Sequence, residues 1–290
     1  MNESRCKLST AGRFTTLVVV LTSATQSLFG EPLAPIERRL PPEGKQLAND
    51  ERDALEQGLA KVDKRLADVA DHPLVPDAAI FTSAVELALA HDEFYRDGDA
   101  ELALQLLKTG AERVDSLESN ASPWTTQRGL IVRGYLSRVD GSVQPYGLVI
   151  PESLDLEKPS PLYIWLHGRG DSKTNLAFLQ ERQTKTGQIA PQDAIVLHPF
   201  GRHCVGFKSA GEIDVLEAID HVCANYNIDE RRIVLMGFSM GGAVCWHIGA
   251  HDTDRFVAMS PGAGFSETAR YQNLKPDDVP WYERKVWGAY

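Results

Sequence analysis

Residues 232–251, RIVLMGFSMGGAVCWHIGAH, join a short apolar run to a helical segment through a serine flanked by glycines. Residues 232–237 lack the polar alternation of a half-exposed strand, which indicates a strand buried on both faces. The pattern Gly-x-Ser-x-Gly around Ser239 is typical of a sharp strand-to-helix turn that exposes a serine hydroxyl, and side chains at Gly237 or Gly241 would collide with backbone there. We therefore predict that Ser239 is a nucleophile at such a turn. A plain helix N-cap is the alternative.

Similar apolar runs lie on both sides of this stretch, and helical periodicity separates them. The predicted buried strands cover residues 162–168, 194–199, 232–237 and 255–260, and a helix is predicted over residues 212–226. Two further strand-like runs, 129–137 and 143–150, flank the turn pair Asp140-Gly141 as in a β-hairpin. Buried strands that alternate with helices predict an α/β fold with a mostly parallel sheet and helices on both faces.

The N-terminal part of the chain predicts a leader, a linker and a helical region. Basic residues precede an apolar segment that ends among small residues at Gly30, which is typical of a signal peptide over residues 1–30. An uncleaved anchor or a wrong start codon is the alternative. Four prolines predict an extended linker over residues 31–45. Apolar residues at alternating steps of four and three predict helices packed outside the sheet within residues 46–120, before an α/β domain over residues 121–290.

Composition excludes several classes of function. The 290 residues carry a net charge of −10, and the basic residues form no run or stripe, which argues against nucleic-acid binding. Removal of the leader leaves three cysteines, Cys204, Cys223 and Cys245, whose odd number and spacing fit neither a full disulfide framework nor a zinc site. We expect no metal, no organic cofactor and no stable membrane insertion after signal removal.

A second glycine-containing motif, LHGRGD at residues 166–171, follows the strand predicted from Leu162 to Leu166. Its glycines allow the backbone to approach a substrate carbonyl oxygen closely. The backbone N–H groups of Gly168, Arg169 and Gly170, together with that of Met240, are therefore predicted to form an oxyanion hole. We expect His167 to brace this loop or line the pocket; a role as catalytic base is the less favoured alternative.

These motifs carry a resemblance to a known group of enzymes. Residues 227–256, NIDERRIVLMGFSMGGAVCWHIGAHDTDRF, together with LHGRGD, resemble α/β-hydrolases of the group that contains prolyl-oligopeptidase-type domains, polyhydroxybutyrate-depolymerase-like esterases and dienelactone-hydrolase-like enzymes. The likeness covers about residues 127–275. It implies a secreted or periplasmic serine esterase or peptidase with a helical N-terminal extension, acting on a small-molecule ester or peptide through a Ser-Asp-His triad in that chain order.

Of that triad, only the serine can be assigned to a residue of this sequence. The resemblance places the acid and the histidine after strands that follow residues 255–260, where no further strand pattern is visible. His247 and His251 lie too far along the helix behind Ser239 to reach its hydroxyl. We therefore expect an α/β-hydrolase domain whose C-terminal strands are missing, with the acid and histidine beyond Tyr290.

Two alternatives remain open at this point. An inactive binding or scaffold protein on the same fold would retain these glycines by ancestry, because a fold alone does not establish activity. A second possibility recruits a base from HPFGRHC, residues 198–204, since His198 and His203 follow a predicted strand. Otherwise these two histidines line the pocket or bind loop backbone.

Overall fold

The computed structural model of the protein describes residues 41–202 and 206–275, together with residues 277, 279, 281, 284 and 285. The predicted signal peptide, most of the linker, His203 and Cys204 lie outside the described residues. The described strands are β1 (Gly129–Leu136), β2 (Val143–Ile150), β3 (Ser160–Leu166), β4 (Ile195–Pro199), β5 (Ile228–Phe238) and β6 (Ala258–Gly262). The described α-helices are α1 (Asn49–Asp68), α2 (Val75–His91), α3 (Asp99–Glu118), α4 (Asn175–Thr184), α5 (Ala210–Asn225), α6 (Met240–His251) and α7 (Thr268–Tyr271).

The six strands form one sheet in the order β1-β2-β4-β3-β5-β6. β1 and β2 form the predicted antiparallel hairpin, and β2 also pairs antiparallel with β4. The remaining pairs, β4 with β3, β3 with β5 and β5 with β6, are parallel. The prediction of a mostly parallel sheet is therefore confirmed, and the antiparallel part is confined to the hairpin side.

Helices cover both faces of this sheet, as two neighbouring residues of β1 show. A side chain at Gly134 would overlap Ile80 of α2, so α2 packs directly on the backbone at that point. The hydroxyl of the next residue, Tyr135, donates a hydrogen bond to Asp214 of α5. Because successive strand residues point to opposite faces, α2 and α5 lie on opposite sides of β1.

The predicted N-terminal helices are present as α1, α2 and α3, and they share apolar cores with the sheet. The helical pattern that opens at Pro76-Asp77 predicts a helix to about Tyr95, but α2 ends at His91, where Asp92 adopts a left-handed conformation with φ of 50°. Buried Asp77 of α2 accepts hydrogen bonds from Arg133 Nε at 2.9 Å and from the backbone N–H of Gly134 at 2.7 Å. This buried pair fixes α2 to the sheet.

Two elements differ from the sequence-based expectation. The last strand was expected over residues 255–260 but occupies Ala258–Gly262, because residues Thr253–Arg255 form a 3-10 turn and pairing with β5 begins at Ala258. Helix α4 was not predicted, since it has only ten residues and six of them are polar. Within the described residues, no helix is both long and apolar enough to cross a membrane.

Candidate active site

Ser239 is the single residue between strand β5 and helix α6. β5 ends at Phe238 and α6 begins at Met240, and Ser239 itself has φ of 56° and ψ of −117°. Such a conformation is strained for a residue with a side chain and persists only where the surroundings enforce it. Two hydrogen bonds of 2.9 Å do so here: the Ser239 N–H donates to the carbonyl of Gly262 in β6, and its carbonyl accepts from Ala243.

The glycines on either side of Ser239 are required by close backbone packing. A Cβ atom at Gly237 would overlap the carbonyl group of Gly241, and one at Gly241 would overlap the carbonyl oxygen of Leu166 at the end of β3. The turn is thus pressed against the strand that leads into the LHGRGD loop. Any larger residue at either position would push the serine out of place.

The LHGRGD loop lies beside this turn. A Cβ atom built at Gly168 would stand 3.7 Å from the carbonyl oxygen of Phe238, the residue before the serine. Arg169 turns its guanidinium back to Asp171 of the same loop, with Nε 2.6 Å from Oδ1. The structure therefore brings Gly168 next to the strand end that leads into the Ser239–Met240 turn. A role of Gly168, Arg169, Gly170 and Met240 in oxyanion binding remains a prediction.

His167 is buried at the start of this loop, and both of its ring nitrogens face main-chain carbonyl oxygens. Nδ1 is 3.0 Å from the oxygen of Gly168 and Nε2 is 3.0 Å from that of Phe200. The ring also packs against Phe207, with centroids 4.6 Å apart. Burial lowers the pKa of His167 to about 4, although both carbonyl oxygens oppose this shift, so the ring is neutral at pH 7. A neutral imidazole carries one N–H and donates to only one of these two oxygens, which suits a bracing role.

His198 lies within β4 and is separated from β5, the strand that leads to Ser239, by β3. It is buried, and a Cβ atom at Gly187 would stand 3.3 Å from both its Nε2 and the Nη1 of Arg182. Burial lowers the pKa of His198 to about 3. The surroundings of His198 thus include Arg182 and Gly187. The other base candidate, His203, lies outside the described residues.

Three further histidines have contacts away from the Ser239 hydroxyl. His221 forms a hydrogen bond of 2.8 Å with the hydroxyl of Tyr146, and His251 lies 3.1 Å from the carboxylate of Glu212. The His247 ring packs against that of His251, with centroids 5.5 Å apart. Ser239, for its part, makes no side-chain hydrogen bond to the helix that it caps.

A small cavity of about 130 Å³ opens beside Met240. Apolar residues of α6 form one wall, and three of its other lining residues have ionisable side chains. The ionisable lining residues are Lys208, His247 and Glu267. Burial lowers the pKa of Lys208 and of His247. The cavity provides space for a small group next to the turn, and sequence reasoning missed Lys208 because no motif marks it.

Among the described residues, no group of three or more His, Cys, Asp and Glu side chains is arranged to hold a metal ion. Cys223 and Cys245 are free thiols in α5 and α6.

Comparison with known proteins relates this chain to hydrolases. Residues 208–289 match the model of the prolyl oligopeptidase family, peptidase S9. A bifunctional acetylxylan esterase/xylanase from Neocallimastix patriciarum is 31% identical over 115 residues, which make up 38% of this chain and 16% of that protein. The chain therefore spans only a small part of the length of that relative.

Two solved hydrolase structures each match about half of this chain. A thermostable esterase is 22% identical with a TM-score of 0.37, over 55% of this chain and 50% of the esterase chain. The S-formylglutathione hydrolase of Staphylococcus aureus is 17% identical with a TM-score of 0.38, over 56% of this chain and 67% of the other. The mostly parallel sheet and the Gly-x-Ser-x-Gly turn, taken with the partial family match and the esterase relative, support an α/β-hydrolase of the serine esterase and peptidase type.

Proposed function

We propose that the protein hydrolyses carboxylic esters with Ser239 as the nucleophile. The triad histidine takes the proton of the hydroxyl, the oxygen attacks the acyl carbon and the alcohol leaves. Water then releases the acid from the covalent acyl-enzyme. The observation that carries this proposal is the strained Ser239 turn, held by hydrogen bonds to Gly262 and Ala243 and pressed on β3 through Gly241.

The negative charge that develops on the substrate oxygen is stabilised by backbone N–H groups. Those of residues Gly168, Arg169 and Gly170 and that of Met240 are the proposed donors, and the position of Gly168 beside Phe238, the residue before Ser239, is compatible with this assignment. Removal of one side-chain donor from the oxyanion hole of a well-studied serine protease costs roughly 3–4 kcal/mol of transition-state stabilisation. The cavity beside Met240 offers room for a small acyl or alcohol group.

The base and the acid of the triad are proposed to lie beyond Tyr290. The positions of the described histidines support this, because His167 and His221 have other partners and His198 lies within β4. The chain order Ser-Asp-His of the resembling families also places both residues after β6. His203 remains the alternative base within the chain.

Two other functions are alternatives to ester hydrolysis, and the first of them has specific support. The match of residues 208–289 to the prolyl oligopeptidase family favours peptide substrates. A comparison of an ester with the amide of the same acyl group separates esterase from peptidase activity. An inactive binding protein on this fold is the second alternative, and it predicts no reaction that depends on Ser239.

Secretion and the domain division are part of the same proposal. We propose that residues 1–30 direct export to the periplasm or the medium and are removed, and that residues 31–45 link to a helical region over 46–120 and a hydrolase domain over 121–290. N-terminal sequencing of the exported protein tests this. A mature chain that begins near residue 31 supports the signal peptide, and one that retains Met1 contradicts its removal.

The proposal is tested by supplying the missing base. Residues 31–290 are expressed with and without Ser239→Ala, and hydrolysis of a small activated ester is measured over a range of imidazole concentrations. The expected result is slow hydrolysis that imidazole accelerates in the unmodified protein but not in Ser239→Ala beyond the reaction of imidazole alone.

Two other outcomes decide between the alternatives. Fast turnover without imidazole that vanishes in Ser239→Ala keeps the nucleophile but places the base within this chain, where His203→Ala identifies it. Equal rates for both proteins at every imidazole concentration contradict the nucleophile and favour the binding protein.

A further inference from the structure

A buried carboxyl group at the N-terminal end of α5 contacts the loop that follows β4. Asp214 is fully buried and accepts a hydrogen bond of 2.6 Å from the backbone N–H of Gly201. Its other oxygen accepts from the hydroxyl of Tyr135 in β1. A buried acceptor with two donors of this kind fixes both partners, because either donor would be costly to leave unpaired.

Gly201 is held from three sides. Its N–H is bound by Asp214, and its φ of 71° lies in the left-handed region that favours glycine. A Cβ atom at Gly201 would overlap the ring of Phe207, and one at Gly211 would stand 2.6 Å from the Gly201 carbonyl oxygen. The position of residue 201 is therefore set by Asp214, by the Phe207 ring and by the first turn of α5.

The same loop contacts His167 at two points. The carbonyl oxygen of Phe200, the residue before Gly201, lies 3.0 Å from His167 Nε2. The ring of Phe207, which packs on Gly201, also packs on the His167 ring. His167 in turn precedes Gly168 directly, so a continuous set of contacts leads from Asp214 to the LHGRGD loop.

We propose that Asp214 is a positioning residue of the oxyanion hole. By fixing Gly201 it fixes Phe200 and Phe207, which hold His167 and hence the N–H groups that follow it. This inference rests on the proposed function, since it assigns Asp214 to the same site. Asp214 itself touches no substrate.

The chain offers a matched control on the same helix. Glu217 is also buried and accepts hydrogen bonds from Ser137 Oγ at 2.7 Å and from the backbone N–H of Arg138 at 2.8 Å. These partners belong to the turn between β1 and β2 and not to the loop after β4. Loss of Glu217 thus removes a similar buried acceptor without disturbing Gly201.

The variants Asp214→Ala, Asp214→Asn and Glu217→Ala are compared by two measurements. The first is amide hydrogen exchange in residues 166–171 and 200–202. The second is the Ser239-dependent, imidazole-assisted hydrolysis of the activated ester. Asp214→Ala is expected to speed exchange in both segments at least about tenfold and to lower kcat about ten- to a hundredfold with little change in KM, because oxyanion stabilisation acts on the transition state.

The two other variants are expected to differ sharply from Asp214→Ala. In Asp214→Asn, the exchange rates and kcat are expected to lie within about threefold of those of the unmodified protein. The reason is that the amide oxygen accepts from Gly201 while the NH₂ group donates to the Tyr135 hydroxyl. Glu217→Ala leaves both as in the unmodified protein. The proposal is overturned if Asp214→Ala folds and its hydrogen exchange and hydrolysis rate equal those of the unmodified protein. It is also overturned if Glu217→Ala speeds hydrogen exchange in the two segments as much as Asp214→Ala does.

Two further provisions keep the test decisive. If Asp214→Ala does not fold, Asp214→Ser replaces it, because the shorter side chain satisfies one partner at most and is expected to loosen the same two segments. If no variant shows Ser239-dependent hydrolysis, the proposed function fails while hydrogen exchange alone still decides the positioning role.

Discussion

Two serines of this protein share one backbone conformation. Ser239 has φ of 56° and ψ of −117°, and Ser209 has φ of 53° and ψ of −115°. Each precedes the first residue of a helix, α6 or α5. Each is also followed two residues later by a glycine that has no room for a side chain, Gly241 against the Leu166 carbonyl and Gly211 against that of Gly201.

The surroundings of the two serines differ. Ser239 directly follows a strand of the sheet, is half-buried and donates its N–H to the carbonyl of Gly262 in β6. Ser209 is exposed and is separated from β4 by the loop that follows Pro199. A strained serine at a helix start therefore does not by itself mark a nucleophile. Ser239 differs from Ser209 in its position at the end of β5, beside the LHGRGD loop that is the proposed oxyanion loop.

The largest expected difference is in catalysis. Ser239→Ala is expected to lower imidazole-assisted ester hydrolysis at least about a hundredfold, since no other group forms the acyl-enzyme. Ser209→Ala is expected to change it less than about twofold. Equal losses in the two variants, or a loss confined to Ser209→Ala, would break the distinction between the two turns.

The next difference concerns the glycines that support the turns. Gly241→Ala forces a methyl group into the Leu166 carbonyl and within 2.9 Å of that of His167. The methyl group that Gly211→Ala adds would stand 2.6 Å from one backbone oxygen, that of Gly201. We expect Gly241→Ala to lower the free energy of unfolding by more than about 3 kcal/mol and Gly211→Ala by about 1–3 kcal/mol. Denaturant unfolding measures both, and the reverse order contradicts the tighter packing at Ser239.

The smallest expected difference depends on pH. Burial raises the pKa of Asp214, beneath the Ser209 turn, to about 6; Tyr135, Gly201 and Arg202 oppose this and Glu217 adds to it. A raised carboxyl pKa stabilises the fold in the protonated form, fully below about pH 4, and this contribution is lost as pH rises through 6. The unfolding free energy of the unmodified protein should therefore fall relative to Asp214→Asn between pH 4 and 7, by up to about 3 kcal/mol. Denaturant unfolding at several pH values measures this. If the difference in unfolding free energy between the unmodified protein and Asp214→Asn is constant from pH 4 to 7, the raised pKa of Asp214 is contradicted.

Local patterns predicted the features that depend on neighbouring residues. The Ser239 turn followed from Gly-x-Ser-x-Gly after an apolar run, and the β1–β2 hairpin from the Asp140-Gly141 pair between two strand-like runs. Crowding by backbone at Gly237 and Gly241 was also expected, because the motif itself implies a sharp turn; that the crowding at Gly241 comes from Leu166 of β3 was not.

Features that depend on distant residues were not predictable in this way. Asp214 binds Tyr135, 79 residues away, and Gly201, 13 residues away, so no local pattern marks it. The conformation of Ser209 was missed because it follows a loop and no glycine precedes it at the spacing of the motif. The order of β4 and β3 in the sheet likewise depends on tertiary packing.

The central claim is that Ser239 is the nucleophile, and covalent labelling tests it most directly. The protein is treated with a fluorophosphonate, with imidazole present as base, and the modified residue is located by mass spectrometry of its peptides. The account predicts a phosphonyl adduct on Ser239 that is absent from Ser239→Ala and unchanged in Ser209→Ala. An adduct on Ser209 or another residue while Ser239 stays unmodified would contradict it.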